Sequence, residues 1–274
     1  MSFEPAILGR TGLKVNRLGL GVGYGVPPKA VEEAFERGVN YFYWGAFRMQ
    51  GMGRAIRRLA RKNRERLVVT VQNYWPSEGL IPKGVEKVLR ELQLDYADIL
   101  LFSTFRRRPN QRAIDSALKL KDKGLIHHLG LACHLRQRYA EVEKEKIFDV
   151  YHVRYNAVHR GAEKDVFPLL PQKEGPGIVI YTATCWTKLI KPRYLPKGEK
   201  VPQATDCYRF VLSHPSVHVC LSAPKNIEQT KENLDTLRMD SMSPEELEWI
   251  RKVGDHIYRK KPSTDRRPSS TAKD

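Results

Sequence analysis

The stretch Gly38-Val39-Asn40-Tyr41-Phe42-Tyr43-Trp44-Gly45-Ala46-Phe47-Arg48 concentrates side chains that can do chemistry. Gly38 reads as a helix stop, Val39–Phe42 as a buried strand, and Tyr43 as the start of an aromatic and basic loop. In a parallel α/β protein, strands deliver ligand-facing residues at their C-terminal ends. The plain alternative is that Tyr43, Trp44 and Phe47 only cap a core, since aromatic residues are common at core edges. Cys133-His134 also sits at a strand end and has the residue types of a nucleophile and its base. Adjacent residues on an extended strand face opposite ways, which argues against direct pairing. Arg106, Arg107 and Arg108 follow another strand, and Arg136, Arg154 and Arg160 lie near further strand ends. A strand-end face lined by arginines would attract an anion or be an ordinary solvated rim. His127, His128, His159 and His214 have no partners at metal-ligand spacing, so no metal is expected.

The elements that must position these residues are legible along the chain. Gly9-Arg10-Thr11-Gly12 is a turn signal between residues 6–8 and 13–16, which read as a short hairpin. Strands follow at Arg17–Val22, Val39–Phe42, Leu67–Gln72, Ala97–Phe102, Ile126–Ala132, Phe148–Val153, Gly177–Thr182 and Val217–Leu221. Between them lie helical patterns, including Ile81–Leu92, Gln111–Lys123, Gln137–Lys146, Glu163–Leu170, Thr205–Ser213 and Asn226–Leu237. A last helix begins at Pro244, with Ser243 and Glu246 as a capping box. Strands alternating with helices every ~30 residues imply β-α-β units and a parallel sheet. Eight units fit a closed (β/α)8 TIM barrel with an N-terminal β-hairpin and an extra C-terminal helix. Gly19-Leu20-Gly21-Val22-Gly23 only half resembles the Gly-rich phosphate turn of an open dinucleotide-binding sheet. The expected organisation is one barrel domain over residues 1–258 and a basic, disordered tail over 259–274.

Composition narrows the function classes. With 41% hydrophobic residues in 274, the chain can bury a full core. No run is long and apolar enough for a transmembrane helix, and Met1–Pro5 lacks a basic-then-apolar signal pattern, so no membrane partner is expected. Cys133, Cys185, Cys207 and Cys220 are scattered, which points to a reducing cytoplasm rather than a disulfide framework. The formal net charge of +17 arrives without a helix-turn-helix, zinc-finger or RNA-binding signature. A phosphate-bearing cofactor or an acidic small-molecule substrate fits that charge better than nucleic acid does.

The chain resembles the aldo-keto reductase superfamily of nicotinamide-dependent barrels, from Leu8 to about His256. The resemblance rests on Leu8–Val15, Arg17–Gly21, Gly38–Phe42, Leu94–Ile99, Lys123–Ile126, Tyr155–Arg160 and Glu232–Leu234. It implies carbonyl reduction with NADP(H), using an Asp, a Tyr, a Lys and a His. Those positions here hold Tyr43, Arg48, Gln72 and Ser103, so all four differ. A carbonyl reductase needs a proton donor beside the developing alkoxide, and a tyrosine without a cationic neighbour titrates near ~10. Three outcomes stay open. Tyr43 is a relocated acid with Arg48 as its cation, or Arg48 binds an anionic substrate through its bidentate fork, or the site does no redox chemistry.

The resemblance also implies a cofactor site. The family's carboxamide-holding residues correspond to Ala132-Cys133 and His152. The stacking tyrosine at the end of strand seven is retained as Tyr181, followed by Thr182. Gly21 follows the first strand, and Ser222, Lys225, Gln229, Glu232 and Asn233 match the adenine and 2′-phosphate region, with Lys225 as the expected phosphate cation. The competing expectation is a non-redox barrel, either a pseudoenzyme or an enzyme of other chemistry, that binds an anionic small molecule.

Overall fold

A computed structural model describes residues 3–21, 25–45, 49–73, 77–104 and 107–260 of the chain. Eight parallel strands close into a barrel: β3 (Leu18–Leu20), β4 (Tyr41–Trp44), β5 (Val68–Asn73), β6 (Ala97–Thr104), β7 (Ile126–Cys133), β8 (Val150–Arg154), β9 (Gly177–Tyr181) and β10 (Val219–Ser222). Each pairs with its sequence neighbour, and β10 returns to pair with β3. Around them pack α1 (Pro28–Glu36), α2 (Gln50–Asn63), α3 (Ile81–Leu92), α4 (Gln111–Asp122), α5 (Gln137–Glu143), α6 (Ala162–Asp165), α7 (Ala204–Leu212) and α8 (Ile227–Asp235). The expected N-terminal hairpin is present as β1 (Ala6–Ile7) and β2 (Lys14–Val15), antiparallel to each other. The extra C-terminal helix is α9 (Pro244–Arg259), capped as expected by the reciprocal Ser243–Glu246 bonds. Among the described residues, no helix is long and apolar enough to cross a membrane.

Strand parity divides the core in two. One face of the strands points into the barrel, where, with Leu8 and Val15 of the hairpin, Tyr41, Tyr43, Val68, Ile99, Leu101, Val150, Val179, Val219 and Leu221 form one cluster. The alternate residues, among them Phe42, Val69, Val71, Leu100 and Val153, pack outward under the helices in a second, larger cluster. The hairpin closes the N-terminal end of the barrel: Leu8 and Val15 are fully buried against its lower residues. Two local devices hold it there. Asn40 bonds its side chain to Lys14 O and accepts from Asn16 N–H, at 2.8 and 3.0 Å. Gly9 runs at φ +50°, and a Cβ there would fall 2.3 Å from Gly177 N, so the turn sits directly on β9.

Several expected boundaries move by a few residues, and three of the shifts have visible physical reasons. The second barrel strand runs through Tyr43 to Trp44 instead of ending at Phe42, because Trp44 turns outward and seats against Gly53 of α2. The helix expected over Gln137–Lys146 stops at Glu143. The Glu143 carboxylate is drawn inward by the Tyr151 hydroxyl, 2.9 Å away, and by an ion pair with Arg10. The helix expected at Glu163–Leu170 is a single α turn followed by a 3-10 turn at Phe167–Leu169, since Pro168 disfavours α conformation at the residue before it.

Candidate functional site

The C-terminal mouth collects the inward side chains that end each strand. Parity places Tyr43 on β4, Gln72 on β5, Ser103 on β6, His152 and Arg154 on β8 and Tyr181 on β9 around one opening, with Gly21 just past β3. Tyr43 and Gln72 close around Gly45, where an added Cβ would lie 2.6 Å from Gln72 Cβ and 2.9 Å from the Tyr43 hydroxyl. Tyr43 is buried, Gln72 half-buried, and Ser103 exposed at the rim. Tyr43 therefore lines the barrel interior, while Trp44 is the residue that caps the outer core. Arg48 lies outside the described residues.

Below the mouth runs a buried polar chain. Thr70 Oγ1 donates to the Tyr41 hydroxyl at 2.7 Å, and that hydroxyl lies 2.8 Å from His152 Nε2. This order of donors makes Nε2 an acceptor and places the ring proton on Nδ1. The Tyr43 ring packs above, its centroid 5.7 Å from that of His152. Burial holds the imidazole neutral, with its pKa brought down to about 3, and pushes the Tyr41 phenol well up. The chain is a neutral, pre-positioned set of donors and acceptors.

Arg154 supplies charge. It ends β8 opposite Tyr181 of β9 and is half-buried. Burial raises the Tyr181 phenol and the guanidinium of Arg154 works against that rise. The same two causes, burial first and then Arg154, both lower His134. Of the other arginines near strand ends, Arg108 pairs with Glu145, Arg136 with Asp165 and Arg160 with Asp255, whereas Arg107 is exposed and Arg106 lies outside the described residues. The arginine-lined face expected from sequence is thus largely a set of loop-to-helix ion pairs.

The expected cofactor residues separate into two groups. Gly21 donates its N–H to Ser222 O at 2.7 Å, Tyr181 faces the mouth, and Thr182 leaves β9 in the left-handed region at φ +62°. Thr182 O accepts from Asn156 Nδ2 and from Cys185 N, both at 2.8 Å. Cys185, Trp186 and Thr187 continue left-handed at φ 51°, 52° and 67°, a conformation that costs side-chain-bearing residues roughly 1–2 kcal/mol each. Lys225, just before α8, and Gln229, in its first turn, are exposed, Asn226 caps the helix by accepting from Gln229 N, and Glu232 is exposed further along. The second group is buried. The Cys133 thiol faces the outer core, with its backbone N–H donating to the Tyr139 hydroxyl at 2.8 Å, because parity turns it away from the mouth. Ser222 is buried and donates to Gly19 O, and Asn233 is buried on the inner side of α8.

Sequence reasoning passed over Tyr41 and Thr70 as parts of the site. Their signal was available: each lies two residues before a mouth residue on its own strand, and so shares its face. A hollow of about 790 Å³ opens at the opposite end, lined by Gly9, Arg10, Pro171 and His218 among others. Its lining includes no C-terminal residue of a barrel strand, where barrel chemistry is located, so the mouth is the better candidate.

A closed eight-stranded parallel barrel with its polar residues gathered at the C-terminal mouth defines a (β/α)8 protein of the enzyme-bearing kind. The profile of the Aldo/keto reductase family matches residues 28–206, and the chain belongs to that family. An L-galactose dehydrogenase from Arabidopsis thaliana is 23% identical over 302 residues, spanning 90% of this chain and 94% of that protein. An aldo-keto reductase from Bacillus halodurans, in its holo form, superposes with a TM-score of 0.77 at 21% identity, covering 92% of this chain and 96% of that one. An aldo/keto reductase from Klebsiella pneumoniae, solved with NADP and acetate, gives 0.75 at 20% identity, covering 91% and 95%.

Proposed function

We propose that this protein is an NADP(H)-dependent oxidoreductase with an altered active site, acting on a small anionic substrate at the barrel mouth. The carrying observation is the inward, half-buried Tyr181 at the end of β9, leading into the left-handed turn of Thr182 and Cys185–Thr187. Left-handed residues bearing side chains persist where the surroundings over-determine them, commonly at ligand clamps. The residues present fit a dinucleotide: a phenol ring for the nicotinamide, Gly21 without a side chain just past β3, and Lys225 before the N-terminus of α8 for the 2′-phosphate. The Klebsiella pneumoniae relative was solved with NADP, and a second structure from that organism with NADPH. The dinucleotide, when bound, supplies the hydride.

The chain's own residues would do the rest. Tyr43 presents its hydroxyl at the mouth, where a proton must move to or from the substrate oxygen. Gln72 and Ser103 orient the substrate by hydrogen bonding. A guanidinium is expected to hold its anionic group, and Arg48, five residues beyond Tyr43 in the sequence, is one candidate. A second reading, a barrel that binds a dinucleotide or an anion without turnover, is favoured by Gln72 and Ser103, which bring no charge to the positions that hold a Lys and a His in the resemblance described above.

Titration of the whole protein with NADPH and with NADH, followed by fluorescence and calorimetry, tests the reading. NADPH is expected to bind tighter, and Lys225→Ala to weaken NADPH by about tenfold, equivalent to ~1.4 kcal/mol, with little change for NADH. Binding without turnover on aldehydes and carboxylated carbonyl compounds would establish the second reading. No binding of either nucleotide overturns both dinucleotide readings.

A further inference from the structure

The geometry points to Arg154 as an oxyanion anchor that selects substrates bearing a carboxylate or a phosphate. This deepens the function proposed above and rests on the same mouth. Arg154 is the last residue of β8 and shares its face with Val150 and His152, so its side chain leaves the barrel wall on the inner side, beside Tyr181. It is half-buried, and among the described residues it has no hydrogen bond and no ion pair. Its neighbours in the same rim are compensated: Arg136 and Arg160 each hold a carboxylate, at 2.8 and 2.7 Å.

A guanidinium drawn out of water without a counter-charge is costly, and proteins ordinarily pair such groups. Five N–H donors in a planar fork match the two oxygens of a carboxylate or the face of a phosphate. The charge is felt at the mouth, since both Tyr181 and His134 respond to it. An oxyanion seated on Arg154 would cancel that field, so the ligand itself should be reported by His134. Among the described residues, the polar groups that feel Arg154 are the Tyr181 phenol and the His134 imidazole, both neutral near pH 7, with the neutral His152 imidazole deeper on the same strand.

The test uses the full chain, first without and then with NADP⁺, titrated by calorimetry with succinate and separately with inorganic phosphate. His134 is followed by NMR across pH. The parent is expected to bind at least one of the two anions, and the tighter one identifies the substrate's anionic group. Arg154→Gln should weaken that binding by at least about tenfold, and Arg154→Lys by several-fold, because the lysine keeps the charge and loses the fork. Saturating anion should raise the His134 pKa in the parent and leave it unmoved in Arg154→Gln. Arg54→Gln, an exposed change on α2, should alter nothing. Equal anion affinity in the parent and Arg154→Gln, or no anion binding by the parent, overturns the assignment. Loss in Arg48→Gln with none in Arg154→Gln transfers the anchor to Arg48 and overturns it equally. Failure of NADPH to bind while the Arg154-dependent anion site persists would overturn the oxidoreductase reading alone.

Discussion

The two ends of the barrel interior are built on opposite rules. At the base, Leu8 and Val15 of the hairpin meet Val68, Ile99, Val150, Val179 and Val219, a layer of aliphatic side chains. Toward the mouth the same strands contribute Tyr41, Thr70, His152, Tyr43, Gln72, Arg154 and Tyr181. The base gains its free energy mainly from apolar burial. The upper half spends stability on burying polar groups, and recovers part of it only through the Thr70–Tyr41–His152 bonds. Such a division is what a scaffold carrying a site requires: one end fixes the fold and the other presents functional groups in set orientations.

The largest expected effect breaks the base. Leu8→Ala removes a fully buried side chain from the plug and should cost about 2–5 kcal/mol, read as a lower urea midpoint. NADPH affinity at the far end should stay near the parent value if the base is purely structural; a parallel loss of affinity would dissolve the distinction. Next, Tyr41→Phe removes the middle of the polar chain, leaving the His152 Nε2 without its donor and Thr70 without its acceptor. It should cost about 1–3 kcal/mol by urea denaturation, the penalty for a buried unsatisfied group. A neutral result would mean that water replaces the phenol and that the upper layer is not sealed.

A smaller and pH-dependent effect follows from His152. Burial takes its pKa from 6.5 to about 3, so the unfolded chain binds the proton more tightly than the folded one. Its contribution is fully present above pH ~6.5 and is lost as pH falls below it, at no more than about 1.4 kcal/mol per pH unit. His218, lowered to about 4, acts with the same sign at the base. Stability measured at pH 7 and at pH 5.5 should therefore fall on acidification, and His152→Gln should remove part of that slope. An unchanged slope would show that His152 is already protonated, or solvated, in the folded chain. The smallest effect is Ser103→Ala at the exposed rim, within about 0.5 kcal/mol on stability, so any change it makes to turnover can be read as a site effect.

Much of this was legible in the chain itself. The alternation of apolar runs with amphipathic stretches set eight strands within a few residues of their observed bounds, because burial on both faces of a parallel strand leaves a mark in every one. Ile81–Leu92 and the Ser243–Glu246 cap needed no tertiary information, since helix periodicity and capping are local. The site was less legible. Tyr43, Gln72, Ser103 and Tyr181 were found as strand-end residues, but their facing inward depends on register. Cys133 shows the difference: it stands at a strand end like the others, yet one step of parity turns its thiol to the helix layer.

The sequence by itself determined the eight-fold β/α repeat, the hairpin and the final helix, and the strong positive charge. These follow from composition and from correlations over a few residues. Tertiary structure decided that Arg154, among the described residues at the barrel mouth, has no ion pair while Arg136 and Arg160 do, and that Tyr41, 111 residues from His152, would meet it across the barrel. Those outcomes depend on closure. Only when β10 returns to β3 do residues far apart in the chain share one interior, and only then does a strand-end arginine find a partner or remain without one.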